Sequence, residues 1–209
     1  MGRSAIILAG GESQRFGADK GLLDLAGKPL ISYVVGRTID LVDEIVVCVK
    51  TEAQLSLYSQ VLPKEVKLVV DSKDLPPCPL TGALTGLMNV KGEYSLILPC
   101  DTPFISKRII NLLFEIAVGV DAVIPRWPNG YIEPLQAVYR SKMALEAAKR
   151  MIETNNYRMQ SIISLLKRVC YISTLIIKEI DPKMYTFLNI NTPLDLRRAE
   201  SIIRRGLVV

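Results

Sequence analysis

Short runs of β-branched and aliphatic residues alternate with stretches of helical periodicity along most of the chain. The runs Ala5–Leu8, Glu44–Val49, Val66–Val70, Ser95–Leu98 and Asp121–Ile124 predict strands. Between them the spacing predicts helices over Pro29–Leu41, Glu52–Leu62, Leu80–Val90 and Ser106–Val118. Pro29 stands where a first-turn proline belongs, Pro63 stops the second helix, and Ser106 is placed to cap the last. Such alternation argues for a mainly parallel sheet covered by helices on both faces. The second part is less regular. Ile132–Tyr139 reads as a strand, Ser141–Glu153 and Met159–Arg168 as helices, Tyr171–Ile177 and Tyr185–Ile190 as strands, and Pro193–Arg204 as a closing helix. Ligands of such sheets bind beyond the carboxyl ends of the strands, so the loops after the first, third and fourth strands are where chemistry is expected.

Composition narrows that chemistry. A length of 209 residues fits one α/β domain, and 49% apolar against 22% charged residues suffices for a buried core. No segment has the apolar length of a membrane span, and Gly2-Arg3-Ser4 leads into too short an apolar run for a secretory signal, so a cytoplasmic protein is expected. Cys48, Cys78, Cys100 and Cys170 lack metal-ligand spacing and read as reduced, buried or loop thiols. Histidine is absent. This excludes Ser-His-Asp and Cys-His catalysis, imidazole bases and His-ligated zinc. What remains is chemistry run by carboxylates, lysines, backbone amides and a hard metal ion. A net charge of +5 favours anionic partners, with the basic excess leaning toward Arg140–Arg168.

The first loop, Leu8-Ala9-Gly10-Gly11-Glu12-Ser13-Gln14-Arg15-Phe16-Gly17-Ala18-Asp19-Lys20, runs from a buried strand into glycines and then a lysine. Glycines let backbone amides approach phosphate oxygens, and Arg15 and Lys20 supply charge for a triphosphate. It is neither a Walker A loop nor a GxGxxG fingerprint. Asp101 stands at the tip of an apolar strand between Pro99 and Pro103, a carboxylate placed to hold Mg²⁺ beside substrate phosphates. Asp71 follows the third strand in the same way, where a turn aspartate is the competing reading. Trp127, between Arg126 and Pro128, suits either stacking on a flat ligand or plain packing.

The stretch LAGG-x-S-x-R-[hydrophobic]-G-x-D-K resembles the signature of the molybdenum cofactor guanylyltransferases, within the wider Rossmann-like NTP transferases. Pro79-Leu80-Thr81-Gly82 is similar to that family's PLAG segment and Leu98–Phe104 to its PCDxPF segment. Glu133–Tyr139 resembles its central strand and Phe187–Leu196 its F-x-N-I-N-T-P-x-D-L ending. Phe16, Cys78 and Thr81 depart from the methionine, glycine and alanine usual at those places.

The resemblance implies a single Rossmann-like three-layer α/β/α domain with a mainly parallel, mixed sheet over 1–209. Residues 1–125 would form mainly the NTP-binding half and 126–209 mainly the acceptor-binding half. It implies GTP contacts at Leu8, Ala9, Gly10, Gly11, Gly17, Lys20, Asp71, Leu80, Gly82 and Asp101, with Asp71 accepting the N1 and N2 hydrogens of guanine. Lys20, Arg15 and Asp101 would be catalytic, Asp101 holding Mg²⁺, and Asn189, Asn191 and Arg158 would meet the acceptor. The implied reaction moves GMP from GTP to the terminal phosphate of molybdenum-bearing molybdopterin and releases pyrophosphate. Transient contact with molybdenum-insertion or molybdoenzyme partners is expected, and no nucleic acid or membrane partner. A molybdopterin cytidylyltransferase, a sugar-phosphate nucleotidyltransferase, and a nucleotide sensor or cofactor carrier are the alternatives. Gly10-Gly11 favours guanylyl over cytidylyl transfer, since cytidylyl relatives usually read LAAG.

Overall fold

The computed structural model describes residues 2–13 and 16–206. Its centre is a seven-stranded sheet of β1 (Arg3–Leu8), β2 (Glu44–Val49), β3 (Lys67–Val70), β4 (Tyr94–Pro99), β5 (Ala122–Arg126), β6 (Ala137–Arg140) and β7 (Val169–Ser173). The order is β7-β5-β6-β4-β1-β2-β3. Strand β6 runs antiparallel to β4 and β5, and the other pairings are parallel. The chain runs outward from β1 through β2 to β3, then returns to place β4 on the other flank of β1. That reversal opens a crevice beyond the carboxyl ends of β1 and β4.

Helices α1 (Leu30–Thr38), α2 (Glu52–Val61), α3 (Pro79–Asn89), α4 (Lys107–Ile116), α5 (Ser141–Glu153), α6 (Thr174–Ile180) and α7 (Pro193–Arg204) complete the chain. One core packs α1, α2, α4 and α6 on one face of the sheet, through Ile31, Tyr58, Ile110 and Ile177 against Ile7, Val47 and Leu96. The opposite core packs α3 and α5, through Leu80, Ala83, Ala144 and Ala148 against Ile6, Val46 and Ile97. The architecture is thus the expected three-layer α/β/α sandwich with a mixed, mostly parallel sheet. Among the described residues no helix is long and apolar enough to cross a membrane.

Contact between α3 and β1 is close enough to exclude a methyl group. A Cβ on Gly86 would stand 2.2 Å from Ile6 Cγ2, and Ile6 is wholly buried. Gly86→Ala is therefore expected to lose about 1–2 kcal/mol net, overpacking outweighing the ~1 kcal/mol that alanine adds to helix propensity. Chemical denaturation against wild type tests this, and an unchanged or higher midpoint would overturn it.

Four stretches differ from the sequence-based expectation. Tyr171–Ile177 is not one strand: β7 ends at Ser173, whose side chain accepts from the Leu175 N–H at 3.2 Å and caps α6. The reason is register. Ser173 pairs with Arg126, the last residue of β5, so nothing remains for the following residues to pair with. Tyr185–Ile190 is a 3-10 turn over Tyr185–Phe187 followed by non-helical chain, with Ile190 buried and Tyr185, Phe187 and Leu188 partly buried by loop packing. Ile132–Tyr139 keeps only Ala137–Tyr139 in β6, plus an isolated bridge from Ile132 to Arg126, because Pro134 has no N–H to donate. Met159–Leu165 is 3-10 helix, not α-helix.

Candidate active site

A cavity of about 1020 Å³ lies along the carboxyl edge of β4, β1, β2 and β3. Each strand delivers the start of its following loop to that cavity. Strand β1 contributes Leu8, Gly10 and Gly11, β3 contributes Asp71, and β4 contributes Pro99, Cys100 and Asp101. The ladder continues one step past the strand ends, with N–H groups of Ala9, Asp71 and Cys100 donating to Cys48, Val49 and Leu8 carbonyls at 2.8, 2.8 and 3.1 Å. The loops therefore leave the sheet side by side. Gly82 of α3 and Asn191, ahead of α7, close the walls.

At the crevice between β1 and β4, the Lys20 ammonium donates to a carboxylate oxygen of Asp101 and, at 2.6 Å, to Asn191 Oδ1. Asp101 and Asn191, 81 and 171 positions beyond Lys20 in sequence, thus share one cation. The other Asp101 oxygen, Oδ1, is buried without a hydrogen-bond partner among the described residues. A buried carboxylate oxygen left this way is costly unless a ligand completes it. It fits a hard cation, which takes oxygen ligands and obtains the remainder from substrate phosphates and water. Among the described residues no cluster of three or more Asp, Glu, Cys or His gathers, so the protein would offer this one carboxylate.

Asp71 occupies the opposite part of the cavity, two strands beyond β1. Its Oδ1 is also buried and unpartnered among the described residues. Burial pushes its carboxyl upward from the ordinary range, partly opposed by the Thr85 hydroxyl. Glycines make room for it. A Cβ on Gly10 would stand 3.2 Å from Asp71 Oδ2 and 3.3 Å from the Lys50 amide nitrogen, and one on Gly82 would stand 3.1 Å from Leu8 Cδ2. The glycines at 10 and 82 therefore allow close backbone approach around this carboxylate.

Two of the departures from the family pattern have a local explanation. The Thr81 hydroxyl donates to the Pro76 carbonyl at 2.7 Å and lies 3.3 Å from Cys78 Sγ. The pair stitches the loop that leads into α3. Burial, followed by the neighbouring Asp71 and Asp101 charges, holds the Cys48 and Cys100 thiols well above their ordinary values. They line the cavity as protonated, unreactive groups, and all four cysteines are free.

Of the expected site residues, Leu8, Gly10, Gly11, Lys20, Asp71, Gly82, Asp101 and Asn191 line this cavity. Ala9 and Leu80 are buried in the two cores behind it. Gly17 is exposed with φ +61°, immediately before the short strand Ala18–Asp19. Asn189 and Arg158 are exposed and do not line the cavity. Arg15 lies outside the described residues. Trp127 packs at 5.3 Å from the Phe187 ring and donates to Glu133 Oε1 at 2.7 Å, the packing reading of that residue. Burial raises the Glu133 carboxyl, against the pull of the indole N–H.

Sequence reasoning passed over Lys50 and Thr51 after β2, Ser72 and Lys73 after β3, and Leu135 before β6, all of which line the cavity. The second loop was legible in principle: a parallel β2 beside β1 must end on the same edge.

This fold and site define a nucleotide-dependent group transferase of the doubly wound class. The chain belongs to the family of MobA-like NTP transferase domains, which matches residues 5–169. A probable molybdenum cofactor guanylyltransferase of Methanosarcina acetivorans is 37% identical over 200 residues, covering 93% of this chain and 88% of the relative. The molybdenum cofactor guanylyltransferase of Desulfosudis oleivorans is 33% identical over 207 residues, covering 98% of each. Among solved structures, molybdopterin-guanine dinucleotide biosynthesis protein A of Archaeoglobus fulgidus superposes with a TM-score of 0.81 at 27% identity, over 97% of this chain and 99% of that one. A cytidylyltransferase of Thermus thermophilus, at 16% identity and a TM-score of 0.72, shares the fold over 98% of this chain and all of its own. The protein is a nucleotidyltransferase.

Proposed function

We propose that this enzyme transfers GMP from GTP to the terminal phosphate of molybdenum-bearing molybdopterin, releasing pyrophosphate. One observation carries the reading: the same cavity holds Asp71, whose Oδ1 is unpartnered among the described residues, and, across the crevice, the Lys20–Asp101 pair. Strand order separates them by three inter-strand steps, about 14 Å before the loops bend inward. That span suits a nucleotide laid along the sheet edge, base at Asp71 and phosphates at Lys20. Guanine presents adjacent N1 and N2 hydrogens that match a carboxylate's paired acceptors, whereas adenine presents an unprotonated N1. The names of the relatives supply the acceptor.

The acceptor's phosphate oxygen attacks the α-phosphorus in line, forming the new P–O bond as the bond to the bridging β-phosphate oxygen breaks. That nucleophile is anionic at neutral pH, so no base is required, in accord with a chain that lacks histidine. Catalysis is then positioning and charge neutralisation. Lys20, the Gly10–Gly11 amides and Arg15 hold the β- and γ-phosphates and steady the leaving pyrophosphate. Asp101 would hold magnesium through its free oxygen, which supplies neutralisation of phosphate charge when bound. Residues 126–209 serve the acceptor, with Asn191 and Leu135 as their contributions to the cavity wall; Asn189 and Arg158 would meet its more distant parts. Contacts with molybdenum-insertion or molybdoenzyme partners, and a cytoplasmic location, belong to the same reading.

Pyrophosphate release from GTP, CTP, ATP and UTP, each with and without molybdopterin, tests the reading. Preference for CTP, or release that ignores molybdopterin, would replace it.

Asp71→Ala is expected to cost GTP on the order of 1.5–3 kcal/mol in kcat/KM, the range for hydrogen bonds to a charged group, and to narrow the gap to ATP. The same variant should melt higher than wild type without nucleotide. A carboxyl raised in the folded state is destabilising when ionised, so this advantage is present at neutral pH and fades as pH falls through the raised value. Unaltered base preference would leave Asp71 a turn residue, with selectivity in the backbone.

A further inference from the structure

Asp19 immediately precedes Lys20 and is bound from two directions. Its Oδ1 accepts from the Gly21 N–H at 3.0 Å, capping the turn that carries Lys20, and from the Tyr58 hydroxyl at 2.6 Å. Its Oδ2 accepts from Gln54 Nε2 at 2.7 Å. The carbonyl end of Gln54 accepts from the Lys50 N–H at 2.8 Å. Lys20 forms one wall of the cavity, and Lys50 with Thr51 forms another. One amide side chain thus spans the two. The chemistry at each end is unambiguous: an oxygen meets an N–H donor and a nitrogen meets a carboxylate. The seat is tight as well. A Cβ on Gly21 would stand 2.2 Å from the Tyr58 hydroxyl oxygen, and Tyr58 is wholly buried. Burial keeps that hydroxyl protonated and donating.

We propose that Asp19 and Gln54, seated on Tyr58, form a positioning clamp that holds Lys20 and the Lys50–Thr51 loop at the separation an NTP triphosphate requires. The clamp deepens the nucleotidyl-transfer reading and rests on it. Neither residue touches the reacting atoms; both act through the two loops they join.

Isosteric exchange isolates the pair. Asp19→Asn turns an amide nitrogen toward the Gln54 nitrogen, and Gln54→Glu turns a carboxylate toward the Asp19 carboxylate. In the Asp19→Asn/Gln54→Glu double variant one hydrogen bond reverses direction, while the other oxygens still accept from Gly21, Tyr58 and Lys50. Each single variant is expected to raise the KM for GTP roughly tenfold with a smaller change in kcat, and the double variant to return within about threefold of wild type. Gln54→Glu alone should also improve as pH is lowered, because facing carboxylates share a proton. Melting temperatures are measured alongside, since a purely structural role would move those and leave KM and the pH profile unchanged. A double variant no better than the worse single, misfolded variants included, overturns the clamp, as do single variants with wild-type KM. The cycle is run with whichever NTP the wild type turns over, so preference for another base refutes the guanylyl reading without touching the clamp.

Discussion

Asp101→Asn is expected to retain the fold and lose on the order of 10²–10³ in kcat, the scale for removing one preorganised electrostatic contact from a reacting phosphate or oxyanion. The substitution conserves volume, and an amide oxygen can still accept from Lys20. What disappears is the charge that the proposed reaction places beside the phosphates and, with it, most of the expected affinity for a divalent cation. The loss should deepen as magnesium is lowered and recover only partly when it is raised. Apo stability should fall by less than for Lys20→Ala, because the amide oxygen keeps the Lys20 hydrogen bond while the counter-charge of that largely buried ammonium is lost. Initial rates across a magnesium titration, with circular dichroism on the same samples, decide the matter. Near-normal turnover at saturating magnesium would remove Asp101 from the metal role.

Lys20→Ala is expected to act on both function and stability. The ammonium group is, among the described residues, the one hydrogen-bond partner of the Asp101 carboxylate and also holds Asn191, with side-chain exposures of only 16% for Lys20 and 14% for Asp101. Its removal leaves a largely buried carboxylate without compensation. Stability should fall by roughly 2 kcal/mol, less than for a pair sealed from water. Turnover should fall further, on the order of 10²-fold or more in kcat/KM, because in the proposed reaction the same charge serves the ground-state phosphates and the leaving pyrophosphate. Lys20→Arg should recover stability better than rate, since a planar guanidinium can pair with Asp101 but cannot copy an ammonium's contacts to phosphate. Kinetics within about twofold of wild type, an effect under ~0.5 kcal/mol, would reduce Lys20 to a structural ion pair.

The alternation of strand and helix was readable from the chain because each element carries its own period and punctuation. The run Glu44–Val49, the amphipathic helix Ser141–Glu153 and the capped helix Pro193–Arg204 have the bounds their residues predict. In the last, Thr192 accepts from the Asp195 N–H at 3.2 Å while the Asp195 side chain accepts from the Thr192 N–H at 2.8 Å, a capping box written within four residues. Where strand formation depended on a distant partner, periodicity failed. The residues after Ser173 are as strand-like as those before it, yet β5 has already ended.

The candidate site divides along the same line. Absence of histidine, the glycine loop ending in Lys20, and carboxylates at strand tips are covalent facts of the chain, and they restricted the chemistry to charge and backbone amides around phosphate. Their meeting is a tertiary fact. A small third core packs Leu25, Phe104, Ile190 and Ile202 together, and the Ile190 N–H donates to the Asp101 carbonyl at 3.0 Å. Leu25, Phe104 and Ile190 lie just beyond Lys20, just beyond Asp101 and just before Asn191, so burying them brings the three polar groups to one point. The bridge from Gln54 to Asp19 has the same origin, since no local pattern marks a glutamine on an exposed-looking helix as the link between two loops. Local sequence sets which residues suit an element or an anion; the hydrophobic effect, acting between segments far apart in the chain, sets which of them share a site.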